Sequence, residues 1–386
     1  MPGSIGIEIV KADQLTVADR VLWRAMTDAN PDLASPYFRW EFTEIAARIV
    51  PDAAVAILTQ DGRTIGYFPH QRRGAAIQPL GAPMNDYHGV IAMPGEAPPL
   101  AVVADLLGAP RLSVSAWVGP SGVGALRETL MTLLPEHGAE SWEAWYAERR
   151  QTWGKFFKDK ERARRSLETE LGEIRVEEGL RDPALLDHLI GLKRDQYART
   201  GRHDIFACGW TRDLLHALMV ADHADFGASM AAMWAGGRLT AVEYSLHAGD
   251  RYHFWFPAYE PGLARCSPGI LLTLDTMRLA AKSGFRVFDF GFGGEGYKKY
   301  FCNATQSVRE AVVLRPGVGA LLSDVAVGLL NSTAGGRGER LRTSVRRRWA
   351  AIEGCETTSG QRLIGAASAA MVAMRKAGGS GRGATT

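Results

Sequence analysis

Between Glu243 and Tyr300 the chain spaces acids, bases and phenols in a way that could serve proton transfer. Glu243, Ser245 and His247 alternate along one predicted strand, and Arg251, His253 and Trp255 alternate along the next. Alternate residues of a strand share a face. A turn that pairs His247 with Arg251 therefore sets Ser245 opposite His253 and Glu243 opposite Trp255. The other set (Val242, Tyr244, Leu246, Tyr252, Phe254 and Phe256) then faces the core. The polar set reads either as the exposed face of a hairpin or as the wall of a polar pocket. Asp289 stands near the end of a further strand, where ligands of parallel sheets gather. Glu243, His253 and Asp289 are thus candidate general bases, a role that contributes about 10²–10⁴-fold.

These residues are positioned by the stretch RYHFWFPAYEPGLARCSPGILLTLDTMRLAAKSGFRVFDFGFGGEGYKKYF, residues 251–301. It reads as a strand (Arg251–Tyr259), a loop ending in Ser267-Pro268-Gly269, an apolar helix to Lys282, a stop at Gly284, a strand (Phe285–Phe290) and a glycine-rich turn. Two strands joined by a helical crossover lie parallel in one sheet. Such a unit aims its helix N-terminus beyond the end of the first strand and makes an anion site there, worth ~0.3–1 kcal/mol per charge at an exposed terminus. Gly291-x-Gly293-x-x-Gly296 matches a dinucleotide fingerprint as a string. It follows the second strand of its unit, however, and only a short helix (Glu295–Cys302) fits before Val308, so it reads as a tight turn.

The rest of the chain divides around this unit. Residues 1–150 read as a strand, two helices, a hairpin turning at Asp61-Gly62, a helix and a strand. Thr16 with Asp19 has a capping-box pattern, and a second helix follows Pro36. A basic helix, residues 151–173, reads as a solvated linker or a contact for an anionic acceptor. Residues 174–315 repeat the order, with Asp182-Pro183 opening one helix, Thr211 capping the next, and strands Ser229–Trp234 and Leu239–His247 around Gly236-Gly237. The expected fold class is α/β, a duplicated fold with mixed sheets and helices on both faces. Residues 316–386 form a tail, with an apolar stripe from Val318 to Leu330 and an arginine cluster (Arg337, Arg340, Arg342, Arg346, Arg347, Arg348) ending at Trp349. Its GGSGRGATT end has the composition of a disordered segment.

Composition narrows the function classes. A chain of 386 residues with 46% hydrophobic content has apolar material for more than one core. A net charge of +3 gives no global case for nucleic acid, and no DNA partner is expected. Cys208, Cys266, Cys302 and Cys355 are far apart and show no metal-ligand spacing, which predicts reduced thiols and no metal. The start, MPGSIGIEIVKADQ, lacks the pattern of a signal peptide, and Ile364–Met374 is too short to span a bilayer. A cytoplasmic protein is expected.

The element order of residues 174–315, with WFPAYEPGLARCSPGILL and VFDFGFGGEGYKKYF, resembles the GNAT acyltransferases. Within them it looks most like the CelD/BcsL-type branch, the BioF2-like acetyltransferase domain of bacterial exopolysaccharide, cellulose and holdfast loci. SPYFRWEF and MNDYHG in the first half fit the same family, that half being a degenerate GNAT-like copy. The resemblance implies acetyl-CoA as co-substrate, lying where the two parallel strands splay, with its pyrophosphate at the helix N-terminus. The usual loop is (Gln/Arg)-x-x-Gly-x-(Gly/Ala). Here Arg265-Cys-Ser-Pro-Gly269-Ile displaces the glycine by one position and puts Pro268 in its place. Arg265, Ser267 as a cap, the Gly269 and Ile270 amides, and Gly291 and Gly293 near the thioester are the implied cofactor contacts.

Tyr297 and Tyr300 stand where such enzymes carry a tyrosine acid. Asp86, Tyr87, His88, Trp255 and Lys298 are the expected acceptor-binding residues, in a cleft between the halves. A sugar or polysaccharide precursor is the expected acceptor, with N-acetyl transfer to an amino sugar favoured. The alternatives are an aminoacyltransferase of the peptidoglycan cross-bridge type and a non-catalytic sensor in a polysaccharide system. The arginine cluster at 337–348 suits an anionic membrane surface, which would make the protein peripheral at the inner membrane, or a cyclic dinucleotide.

Overall fold

One order of elements occurs twice. The computed structural model describes residues 3–135, 139–221, 223–293, 296–315, 345–358, 360–365 and 367. The first half runs β1 (Gly6–Val10), α1 (Val17–Ala29), α2 (Trp40–Ile49), β2 (Ala53–Gln60), β3 (Arg63–Arg73), β4 (Ala76–Pro79), α3 (Leu100–Leu107), β5 (Arg111–Trp117) and β6 (Ala125–Leu133). Helices α4 (Ala139–Thr152) and α5 (Gly154–Leu171) lead into the second half. That half runs β7 (Ile174–Leu180), α6 (Pro183–Thr200), α7 (Gly209–Met219), β8 (Phe226–Ala235), β9 (Arg238–Ala248), β10 (Arg251–Tyr259), α8 (Pro268–Lys282), β11 (Val287–Phe292) and β12 (Ala304–Leu314). A further helix, α9, spans 345–355.

Local chemistry accounts for several of these elements. The Thr16 hydroxyl accepts from Asp19 N–H while the Asp19 carboxylate accepts from Thr16 N–H, completing the expected capping box. Asp182 accepts from the Ala184 and Leu185 amides with Pro183 at the first helical position, and Gly201 ends α6 in the left-handed conformation. Asp61 and Gly62, at φ 52° and 77°, make the two-residue turn between β2 and β3.

The strands form one twelve-stranded sheet in the order β1-β2-β3-β4-β5-β12-β6-β11-β10-β9-β8-β7. Each half gives its last strand to the other. β12 pairs with β5 (Val312 opposite Ser113), β6 pairs with β11 (Asp289 opposite Met131), and the two exchanged strands pair with each other. The exchange makes the halves one sheet, and a common core follows. Trp23, Phe42 and Tyr67 of the first half share an apolar cluster with Leu214, Phe226 and Tyr244 of the second. The opposite face of the second half is covered by α8, whose Leu274 and Met277 pack with Tyr252, Phe254, Phe288 and Phe290.

Several expectations need correction. Thr211 lies inside the first turn of α7 and donates to the Ile205 and Cys208 carbonyls, so it does not cap the helix. The expected helix at Glu295–Cys302 is a 3-10 turn, Lys298–Tyr300, among the described residues. The β9–β10 hairpin turns through Gly249 and Asp250, which pairs Ala248 with Arg251 and His247 with Tyr252, one residue from the expected register. A one-residue shift moves side chains to the other face. Val318–Leu330, Arg337, Arg340 and Arg342 lie outside the described residues.

Candidate active site

β10 and β11 run parallel and pair from Arg251/Val287 to His253/Asp289. Immediately beyond, the β9–β10 ladder carries Phe254 opposite Ser245 but Phe256 opposite Tyr244, leaving Trp255 as the extra residue of a bulge. A bulge bends its strand. β10 parts from β11 at this bulge, and the splay opens beside Asp289.

Asp289 is fully buried and surrounded by donors. Tyr87 Oη donates to its Oδ1 at 2.8 Å, Gly291 N–H donates to the same oxygen at 2.8 Å, and Arg251 Nη1 donates to Oδ2 at 2.8 Å. Burial alone would raise its pKa. His253, Arg251 and the Gly291 amide outweigh burial and hold it well below the usual carboxylate range. His253, also fully buried, has Nδ1 3.8 Å from Asp289 Oδ2 and Nε2 3.3 Å from Asp86 Oδ2. Neither ring nitrogen is aligned for a hydrogen bond, so the attraction is chiefly one of charge. Burial disfavours the imidazolium, yet the two carboxylates raise its pKa to about 9. Of the three, only Asp86 reaches solvent, its side chain being 29% exposed. Tyr37 and Trp255 close the ring edges of His253, with centroids at 5.1 and 6.4 Å.

The first half provides Asp86 and Tyr87 by filling its own splay. β4 and β5 pair only at Ala76/Arg111 and Ile77/Leu112. The gap beyond is closed by the chain itself, as His88 N–H donates to the Ala116 carbonyl and Val118 N–H donates to the His88 carbonyl. His88 is buried, its Nδ1 accepts from Ser115 N–H at 3.2 Å, and its Nε2 lies 3.0 Å from the Asn85 carbonyl. Burial lowers its pKa to about 4, so it is neutral and acts as a brace. The corresponding gap between β10 and β11 has no such segment threaded through it among the described residues.

Glu243 is not part of this constellation. The observed register puts Glu243 and Ser245 on the α8 face with Tyr252 and Phe254, whereas His253 points to the opposite face. Both faces are buried, which removes the exposed-hairpin reading of the polar set. The Glu243 carboxylate accepts from Tyr252 Oη at 2.7 Å and from the Ser245 hydroxyl, and burial pushes its pKa up to about 7. Tyr300 is stacked on Phe156 at 3.9 Å, and Tyr297 lies edge-on to Phe301 at 6.2 Å. Lys298 is buried and donates to the Phe290 and Gly293 carbonyls at 2.9 and 3.3 Å, bracing the glycine turn from inside instead of facing an acceptor.

The α8 N-terminus has neighbours the sequence did not reveal. Ser267 takes φ 51° and makes no side-chain cap; its hydroxyl accepts from Lys160 Nζ at 2.8 Å. Ile270 N–H donates to the Ser267 carbonyl at 3.0 Å, so of the two expected phosphate donors the Ile270 amide is already engaged in the helix's opening turn. Arg265 is ion-paired with Glu170 of α5. The basic helix α5 therefore lies against the helix entry through Lys160, and beside it a cleft of about 500 Å³ is lined by Trp142, Tyr146, Lys160, Arg164, Arg165 and Arg278 among others. Acetyl-CoA fits this set. The Gly269 amide, Lys160 and the cleft arginines suit its phosphates.

Where it is described, the arginine cluster docks on the body of the protein. Arg347 donates to Glu310 at 2.7 and 2.9 Å, and Arg348 donates to the Gly201 carbonyl. Sequence reading gave no signal for the docking of α9, because its partners, Glu310 and Gly201, are remote in the chain. Among the described residues no helix is long and apolar enough to cross a membrane, and no group of three or more His, Cys, Asp or Glu could hold a metal ion.

Residues 154–299, from α5 into the turn after β11, match the family model of the acetyltransferase (GNAT) domain. No curated protein matches the chain. Among solved structures, FemX is similar at 11% identity and a TM-score of 0.49, covering 82% of this chain and 99% of that one. A tandem GNAT protein from the clavulanic acid biosynthesis pathway is similar at 10% identity and a TM-score of 0.45, covering 81% of this chain and 100% of that one. The C-terminal domain of a putative lysylphosphatidylglycerol synthetase from Agrobacterium fabrum is similar at 13% identity and a TM-score of 0.44, covering 82% and 98%.

Proposed function

We propose that the GNAT domain of this chain transfers an acetyl group from acetyl-CoA to the amine of a small acceptor, an amino sugar of exopolysaccharide synthesis, held between the halves. The observation that carries this reading is the contact of Asp86 with His253 where β10 and β11 part. When bound, acetyl-CoA supplies the activated acetyl group. The chain supplies what an amine needs to accept it.

A primary amine near pKa ~10.4 is almost wholly protonated at neutral pH and must lose a proton to react. That first proton leaves to solvent; Asp86, the partly exposed carboxylate, receives the next one, shed by the nitrogen as it bonds to the acetyl carbon and the carbon–sulfur bond breaks. His253 stays protonated behind it. The pair returns one proton to the departing sulfur and so regains its starting charge. Asp289, strongly acidic and saturated with donors, anchors His253 and takes no proton.

A charged-tRNA donor is less well supported. It calls for a long basic surface, and only the stretch from Lys155 to Arg165 is available for one. The test is a thiol-release assay with acetyl-CoA and a panel of amino sugars. Release dependent on the sugar, and lost in Asp86→Asn, supports the reading. No release with any amine of the panel, or full release in Asp86→Asn, refutes it.

A further inference from the structure

A cavity of about 230 Å³ lies between the halves, with Asn85, Asp86, His88, Glu310, Arg346 and Arg347 in its wall. It touches the Asp86 carboxylate, which stands beside Gly291 at the splay: a Cβ on Gly291 would lie 2.4 Å from Asp86 Oδ2. The cavity is smaller than the ~300–1,000 Å³ of typical ligand pockets, so it suits a molecule of about one monosaccharide unit.

The charges in and around it are unevenly placed, with the guanidinium groups gathered at Glu310 and away from Asp86. Glu310 Oε2 accepts from Arg127 Nε at 3.0 Å, Arg347 donates to both Glu310 oxygens at 2.7 and 2.9 Å, and Arg346 Nη2 is 3.8 Å from Oε1. Three guanidinium groups thus share one carboxylate at this end, a local surplus of two positive charges, while Asp86 supplies a carboxylate elsewhere in the same wall. The Arg346 and Arg347 side chains keep 33% and 46% of their surface. Guanidinium groups in this state are suited to bind the oxygens of a phosphate or carboxylate.

We propose that this cavity is the acceptor pocket and that it selects an acceptor carrying an anionic group beside its amine. Asp86 takes the amine end, and Arg346 with Arg347 takes the anion. The inference rests on the acetyl-transfer reading above. None of Asp86, Glu310, Arg346 and Arg347 falls within the matched residues 154–299. Selectivity then comes from the filled splay of the first half, the exchanged strand β12 and helix α9.

The test titrates the full-length chain, without acetyl-CoA, with glucosamine, glucosamine 6-phosphate and glucosaminuronic acid, and repeats the series with Arg346→Gln. Arg347 and Arg127 still neutralise Glu310 in that variant. At least one anionic sugar is expected to bind about tenfold or more tighter than glucosamine, and which one does identifies the anion. Arg346→Gln should abolish the difference while leaving glucosamine affinity unchanged. Equal affinity for all three sugars, or an undiminished preference in the folded variant, overturns the proposal. If the anion preference holds but acetyl-CoA is not consumed with any of these sugars, the transferase reading fails and the anion site stands.

Discussion

Asp86 Oδ2 lies 3.3 Å from His253 Nε2, so a carboxylate of the first half meets the imidazolium of the second at the mouth of the splay. Neither half has this pair alone. The expected consequence is a kinetic one: Asp86→Asn should cut turnover by about 10²–10⁴-fold, the usual contribution of a positioned base, while acetyl-CoA affinity stays unchanged. Steady-state rates with parallel calorimetry separate the two, and a loss of acetyl-CoA binding equal to the loss of rate would remove Asp86 from proton transfer.

Asp289 is an anchor, and its removal should appear first in stability. Asp289→Ala leaves the buried Arg251 guanidinium without its carboxylate and Tyr87 Oη without its acceptor. Breaking a buried pair on one side costs about 3–5 kcal/mol. Denaturant unfolding should show a loss of that order. A loss below about 1 kcal/mol, the level of an exposed pair, would contradict the buried network.

Two buried groups make stability fall as pH rises. Glu243 is raised from an ordinary value near 4.5 to about 7, and His253 from near 6.5 to about 9. Each holds its proton more tightly in the folded chain, so each contributes stability that is full below its unfolded value and is lost as pH rises through its folded value. These two contributions therefore fall between pH 5 and pH 9, first that of Glu243 and then that of His253. By contrast His70, His88 and His247, whose burial lowers their pKa to about 4, add stability as pH rises to about 6.5. Glu243→Gln keeps an acceptor for Tyr252 and should remove the part between pH 4.5 and 7, leaving the variant on the order of 3 kcal/mol more stable than wild type at pH 8. Identical pH profiles for the two proteins would contradict the buried state of Glu243.

Gly291 is required for both its backbone and its space. It sits at φ +68°, and an added Cβ would stand 2.4 Å from Asp86 Oδ2 and 2.8 Å from His253 Cε1. Gly291→Ala should push Asp86 from its place and lower turnover at least as much as Asp86→Asn. Wild-type turnover in Gly291→Ala would show that the close approach does not exist.

Local signals in the sequence carried much of the fold. The Thr16–Asp19 box, the Asp61-Gly62 and Gly236-Gly237 turns and the crossover from Arg251 to Phe290 are each fixed by neighbours in the chain, and each formed. Strand exchange was not legible, because β6 reads ALRETLMTL, whose composition suits a helix as well as a strand, and its partners β11 and β12 are more than 150 residues away. β4 is only four residues long and ends in proline. At the site, His253, Asp289, Asp86, Tyr87 and Trp255 were all expected and do come together. Glu243 was separated from them by a two-residue turn where a longer one was expected, which is enough to change its face. Tyr37 carries no local mark of function, and Lys160, Arg346 and Arg347 were legible only as members of basic stretches, since what gives them these positions is docking against distant segments.

The central claim is that acyl-CoA enters the second half at the N-terminus of α8, and its most direct measurement is calorimetric titration of acetyl-CoA into the wild type and Gly269→Glu. The substitution places a carboxylate where the helix end, the Gly269 amide and Lys160 favour negative charge, against Tyr259, whose Cδ1 lies 3.2 Å from a Cβ at that position. Saturable binding to the wild type and a loss of about tenfold or more in the variant are expected, with circular dichroism unchanged. Equal affinity in a folded Gly269→Glu protein, or no binding to the wild type, would contradict it.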